Sequence, residues 1–165
     1  MASPGLRPFL PSDAPTLAAL FRASVEELTA EDYSDDQREA WASVADDEEA
    51  FARKLAGELT IVAIIGVEIA GFASLKDNTL FDMLYVRPDL AGRGVGSALA
   101  DAIEKLAGGR GTKKLTVEAS DAAREFFAAR FYVAQSRNTV TVGGEWLGNT
   151  TMIKDLAAPP ASGPH

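Results

Sequence analysis

Apolar positions along the chain repeat with two different spacings, and the spacing divides the chain into elements. Leu17, Leu20, Phe21, Val25 and Leu28 recur at intervals of three and four, the stripe of one helix face. Ser12 or Asp13 stands where it can cap that helix, and Pro15 is tolerated in its first turn. Residues 29–36 are polar and acidic apart from Tyr33 and read as a loop. A short helix is expected over 35–43, carrying Trp41. A third follows the cap-like pair Asp46-Asp47, carries Ala50, Phe51 and Leu55, and stops at Gly57.

The period then shortens. Residues 60–65 form a continuous run rich in β-branched side chains, which predicts a strand buried on both faces. A turn at Gly66 leads into a second strand over 68–75, and the turn Lys76-Asp77-Asn78 leads into a third over 80–86. Helical spacing returns with Val95, Ala98, Leu99, Ala102, Ile103 and Leu106, and Gly108-Gly109-Arg110-Gly111 ends it. A strand over 113–119 follows, with Leu115, Val117 and Ala119 in alternation, then a short helix capped by Ser120 or Asp121 and running to Ala129. Two strands over 132–142 and 146–156 join around Gly143-Gly144 as a hairpin, and residues 5–10 supply a first strand.

This order defines an α+β fold. It has a mixed, mainly antiparallel central sheet of about seven strands, flanked by four or five helices. The helix after the third meander strand makes that strand and the next one parallel neighbours. Residues 1–156 are expected to form a single domain, and the Pro-, Ala- and Gly-rich residues 157–165 a disordered tail.

Composition narrows the chemistry. The 165 residues carry 16 basic and 24 acidic side chains, a net charge of -8, which argues against general nucleic-acid binding. No apolar run is long enough to span a bilayer, so no membrane partner is expected. The N-terminal residues lack the basic start and apolar middle of a signal peptide, and the cytoplasm is the default location. Cysteine is absent, which removes disulfides, thiolate metal sites and a cysteine nucleophile. The only histidine is His165, so mechanisms that need an internal histidine are excluded, and no metal is expected.

The chemistry concentrates between Leu80 and Leu106. The strand 80–86 is broken by Arg87-Pro88-Asp89, and Gly92, Gly94 and Gly96 precede the helix at alternate positions. A glycine turn at a helix N-terminus presents bare N–H groups and partial positive charge, an anion site suited to phosphate. A P-loop requires a lysine after its last glycine, whereas Ser97 and Ala98 follow Gly96. A dinucleotide fingerprint requires G-x-G-x-x-G, and Gly96 comes one position too early.

The segment V-R-P-D-L-A-G-R-G-V-G-S-A-L resembles motif A of the GNAT N-acetyltransferase superfamily, and the likeness extends over residues 5–156 in element order. The resemblance implies that Gly92, Arg93, Gly94, Val95, Gly96 and Ser97 hold the pyrophosphate of acetyl-coenzyme A, mostly by backbone. It also implies that Leu84, Tyr85 and Val86 line the acyl and pantetheine arm. Ala91 departs from the motif, whose first position is normally Gln or Arg. Ser120 stands at a pantetheine-contacting position, where the family often has asparagine.

Acetyl transfer to an amine requires a proton acceptor for the amine, N–H donors for the oxyanion and a proton donor for the leaving thiolate. The resemblance implies a backbone donor at Leu84 or Tyr85 and makes Asp82 a candidate base, with Glu118 the second candidate. The family's tyrosine acid falls at Phe127, beside the cofactor, and Tyr132 takes a core aromatic position. Tyr85 or Tyr33 is therefore the remaining candidate donor, or the thiolate leaves unassisted. A bacterial subgroup with Tyr and Trp in this region implies that Tyr33 and Trp41 floor the acceptor site, with Asn138 and Trp146 as further candidates.

The function implied is N-acetyltransfer from acetyl-coenzyme A to a primary amine of a small molecule or peptide, by direct attack in a ternary complex. The alternatives are a non-catalytic acyl-coenzyme A sensor or scaffold, and a nucleotide-binding protein. The apolar C-terminal hairpin is a candidate homodimer surface.

Overall fold

The computed structural model of the chain describes residues 3–157. The β-branched run of the first meander strand lies near one edge of a seven-stranded sheet whose order is β1-β2-β3-β4-β5-β7-β6. The strands are β1 (Gly5–Pro8), β2 (Leu59–Ile65), β3 (Glu68–Lys76), β4 (Leu80–Val86), β5 (Lys114–Ser120), β6 (Val133–Val142) and β7 (Glu145–Asp155). Five α-helices cover them: α1 (Ala14–Leu28), α2 (Asp35–Ala42), α3 (Glu48–Gly57), α4 (Val95–Gly109) and α5 (Arg124–Ala129). The expected α+β architecture and its single parallel pair, β4 with β5, are present.

Three local differences have physical causes. The first strand ends at Pro8, not at residue 10, because Pro11–Asp13 forms a one-turn 3-10 segment. Neither Ser12 nor Asp13 caps α1 by a side-chain hydrogen bond. Asp13 instead accepts from Arg7 at 2.7 and 3.0 Å and from the Leu10 N–H at 2.8 Å. Helix α2 is closed at its start by a capping box, in which Ser34 and Gln37 each accept the other's backbone N–H. The expected tail and His165 fall almost wholly outside the described residues.

The sheet has two apolar layers. On one face α4 packs Val95, Leu99 and Ile103 against Leu75, Phe81, Leu115, Val117 and Phe127. On the other, α1 and α3 pack Leu17, Phe21, Val25, Phe51 and Leu55 against Val62, Phe72 and Met83. Phe81 and Met83 belong to opposite layers although they are two apart on one strand. The register explains this: Leu75 pairs with Phe81 and Ser74 with Met83, which leaves Asp82 as an inserted residue. A bulge of this kind bends its strand and re-aims the side chains beyond it.

Candidate active site

The bulge makes the site. Up to it, β4 runs beside β5, pairing Leu80 with Thr116 and Phe81 with Val117. Beyond it, β4 stays with β3 through Val86 while β5 stays with β7 through Ser120. The two parallel strands splay, and a cavity of about 270 Å³ opens between them. Leu84, Tyr85 and Val86 line one wall, and Glu118, Ala119 and Ser120 the other. Backbone groups of β4 facing this gap have no strand partner there, so an extended chain can take the missing place.

The glycine turn sits at one end of the gap. Gly92 and Gly94 have φ of 79° and 82°, a left-handed geometry that glycine adopts without strain. Gly94 is the N-cap of α4, and no side chain caps that helix. The amides of its first turn are therefore available to an anion, and Gly96 lines the cavity itself. Arg93 and Ser97 are exposed beside them. An extended arm in the gap and a phosphate on the turn is the arrangement that a coenzyme A thioester requires, so the residues present match that ligand.

Gly71, which the sequence pattern did not single out, supports the turn from below. A Cβ there would lie 2.8 Å from the Tyr85 carbonyl oxygen, 3.0 Å from Val95 Cγ1 and 3.2 Å from Leu99 Cδ1. Its missing side chain lets α4 sit close on β3 and β4.

The candidate acid–base residues separate. Asp82 lies at the bulge and accepts from Lys54 Nζ at 2.6 Å. Lys54 also donates to Glu58 at 2.9 Å, and the Ser74 hydroxyl donates to Glu58 at 2.7 Å. Burial, together with the neighbouring Asp82 carboxylate, raises the Glu58 pKa against the opposing effect of Lys54. Asp82 is thus one end of a Glu58–Lys54–Asp82 cluster and not a free carboxylate.

Glu118 also lines the cavity, but its partners are neutral. The Thr151 hydroxyl donates to it at 2.6 Å and the Asn138 amide at 3.2 Å. Asn138 Nδ2 also lies 2.7 Å from Thr151 Oγ1 and 3.0 Å from Asn149 Oδ1. Asn138 therefore orients the Glu118 carboxylate from β6.

The aromatic candidates occupy three places. Phe127 is buried in a ring cluster, 5.4 Å from Phe81 and 5.1 Å from Tyr132 between centroids, and it also lines the cavity. The Tyr132 hydroxyl donates to Glu104 at 2.9 Å, in a network with Arg130 and Lys154 outside the cavity. Tyr33 is buried, and its hydroxyl is fully used: it donates to the Gly148 carbonyl at 2.6 Å and accepts from the Asp121 N–H at 2.8 Å. Tyr33 ties the α1–α2 loop to β7 and to the end of β5, and it packs edge-on to Trp41 at 5.4 Å.

Trp41 lines the cavity and lies 6.4 Å from the Tyr85 ring, which also packs on Phe21 at 4.7 Å. Burial drives the Tyr85 pKa well above the usual tyrosine value, so its hydroxyl stays protonated. Trp146 is exposed, and its carbonyl accepts from Gln37 at 2.7 Å.

Helix α1 adds lining residues that sequence reasoning missed: Ser24, Val25 and Leu28. Ser24 had one signal. It falls in the row Leu17, Phe21, Ser24, Leu28, where a polar residue interrupts an apolar stripe.

Comparison with known proteins agrees with this geometry. The acetyltransferase (GNAT) domain family matches residues 29–155. An uncharacterized N-acetyltransferase of Escherichia coli K12, YafP, is 34% identical over 147 residues, covering 89% of this chain and 93% of that protein. A solved structure from Rhodopseudomonas palustris, described as a GCN5-related N-acetyltransferase and class-II aminotransferase, is 60% identical. It superposes with a TM-score of 0.93 over 94% of this chain and 97% of its own. The PaiA N-acetyltransferase of Thermoplasma acidophilum, solved with coenzyme A, shares the fold at 20% identity and a TM-score of 0.77, over 93% of this chain and 99% of its own.

The chain belongs to the GNAT acetyltransferase family, the acetyl-coenzyme A-dependent acyltransferases. Among the described residues, no group of three or more His, Cys, Asp or Glu side chains is placed to hold a metal ion. No helix there is long and apolar enough to cross a membrane.

Proposed function

We propose that this protein transfers the acetyl group of acetyl-coenzyme A to a primary amine of a small molecule or peptide, by direct attack within a ternary complex. The observation that carries this reading is the gap between β4 and β5. It joins the uncapped N-terminus of α4 to a chamber that α1 and α2 close from the far side. The donor's arm lies along Leu84, Tyr85 and Val86, its phosphates meet the 92–97 turn, and Ser120 and Phe127 border the arm. The acceptor enters from the side of Trp41.

Glu118 takes the proton that the attacking amine must lose. Its carboxylate is oriented by Thr151 and Asn138 and has no cationic partner among the described residues. Asp82, the other candidate, is committed to Lys54 and shapes the bulge. A backbone N–H of Leu84 or Tyr85 receives the developing oxyanion. The nitrogen–carbon bond forms as the carbon–sulfur bond breaks. An alkyl thiol is acidic enough for its thiolate to depart without the tyrosine that Phe127 replaces. Tyr85, protonated throughout, is the donor available to that thiolate if one is used.

A coenzyme A-release assay against monoamines, polyamines, aminoglycosides and peptide N-termini tests the reading. Turnover of one class supports it. Tight acetyl-coenzyme A binding with no turnover on any acceptor gives the sensor reading instead.

A further inference from the structure

Helix α1 presents one polar side chain to the cavity with no protein partner. Ser24 is 5% exposed and lines the cavity, and among the described residues its hydroxyl makes no hydrogen bond. Other polar side chains of the cavity have protein partners of their own. Thr29 donates its hydroxyl to the Val25 carbonyl at 2.5 Å, Ser120 accepts from the Ala123 N–H at 3.2 Å, and Asp82 is held by Lys54. The hydroxyl opens onto the cavity, so a polar group of a molecule bound there can hydrogen-bond it in place of water.

The surroundings of Ser24 limit what that can be. Val25, Leu28, Trp41, Met83 and Tyr85 make this half of the chamber apolar and aromatic. The acidic residues of α1, Glu26 and Glu27, are exposed outside it. Glu27 belongs to an outer recess with Glu31, Asp32, Asp121 and Glu125, which adjoins the cavity at Leu28 and Ala122. A cation is attracted at this mouth but meets apolar walls within. One ammonium can lose its proton to Glu118. A second would be stripped of water with no counter-charge, and a sugar's hydroxyls would find few partners. The volume of about 270 Å³, shared with the acyl arm, admits a body of about one ring.

We infer that the α1 side of this chamber selects a monoamine with a compact apolar or aromatic body, hydrogen-bonded by the Ser24 hydroxyl. The inference rests on the acetyl-transfer reading, and its test separates the two. Phenethylamine and putrescine are titrated against the full-length protein saturated with coenzyme A, with tryptophan fluorescence as the signal. In parallel, the coenzyme A-release assay is run with both amines.

Phenethylamine is expected to bind at least about tenfold more tightly than putrescine. Ser24→Ala is expected to weaken phenethylamine about five- to tenfold, and Ser24→Thr to keep most of the affinity, with thermal midpoints unchanged. In turnover the Ser24→Ala effect falls on KM and not on kcat. Equal or tighter binding of putrescine overturns the inference. So does absence of binding by either amine, or an unchanged affinity in Ser24→Ala. Selective binding with no coenzyme A release leaves the pocket assignment standing and removes the transfer reading alone.

Discussion

Lys54 Nζ lies 2.6 Å from Asp82 Oδ2, and that contact fastens α3 to the bulge that opens the active-site gap. Lys54 also holds Glu58, whose side chain is only 6% exposed, so one ammonium serves two carboxylates. Lys54→Met leaves those carboxylates facing each other, with the Ser74 hydroxyl still donating to Glu58. Breaking a fully buried pair costs about 3–5 kcal/mol. Lys54 keeps contact with water, so a loss of about 2 kcal/mol is expected by urea unfolding. Adding Glu58→Gln to Lys54→Met is expected to restore about half of that loss, because it removes the repulsion.

The two candidate bases give opposite kinetic expectations. Glu118→Gln keeps the hydrogen-bonding shape but removes the proton acceptor, and kcat is expected to fall about 100-fold or more with coenzyme A affinity unchanged. Asp82→Asn is expected to act mainly through the Lys54 contact, lowering stability by about 1–2 kcal/mol and kcat by less than about tenfold. Steady-state rates and urea midpoints of both variants decide the assignment. A larger kcat loss in Asp82→Asn would return the base role to Asp82.

Acid sensitivity has an identifiable source at the start of the chain. The Arg7 guanidinium, donating twice to Asp13, holds its carboxyl below the usual value of 3.8 against the effect of burial. A depressed folded pKa means that the stabilisation is present above the unfolded value and is lost as pH falls through the folded one. Asp13→Asn is expected to cost about 1 kcal/mol at neutral pH, since Arg7 is partly exposed. The cost is expected to shrink below pH 3.8, and thermal midpoints measured from pH 7 to pH 3 should converge with those of the parent protein.

What could be read from the sequence was what is local in the chain. The 92–97 turn, α4 and the element order are carried by neighbours in sequence, so their periodicity and glycine spacing sufficed. The bulge at Asp82 was invisible because it is a register difference between β3 and β4, and the alternation along β4 alone gives no sign of it. Asp82 reads from the sequence as a candidate base, and its partner Lys54 lies 28 residues earlier, on another element. Tyr33 and Trp41 read as a pair in the sequence, but the Tyr33 hydroxyl donates to the Gly148 carbonyl, 115 residues away. Ser24 stood in a readable helix row, yet only the meeting of α1 with the splayed strands turns it toward a cavity.

Gly71 and Gly94 serve one cofactor site in different ways, and paired substitutions separate support from contact. A Cβ at Gly71 meets a backbone oxygen and two core side chains, so Gly71→Ala must push α4 away from β3. Overpacking of this kind costs about 1–3 kcal/mol, and the turn moves with the helix, so both the urea midpoint and coenzyme A affinity are expected to drop. A Cβ at Gly94 meets nothing within 4 Å, and its cost is the left-handed φ of 82°. Gly94→Ala is expected to lose about 1 kcal/mol of stability. Gly94→Glu adds a negative charge where a phosphate approaches the helix N-terminus. It is expected to lower coenzyme A affinity at least about 100-fold while unfolding like Gly94→Ala. Calorimetric titration with coenzyme A and urea unfolding of the three variants check this. Unchanged affinity in Gly94→Glu would remove the phosphate from this turn.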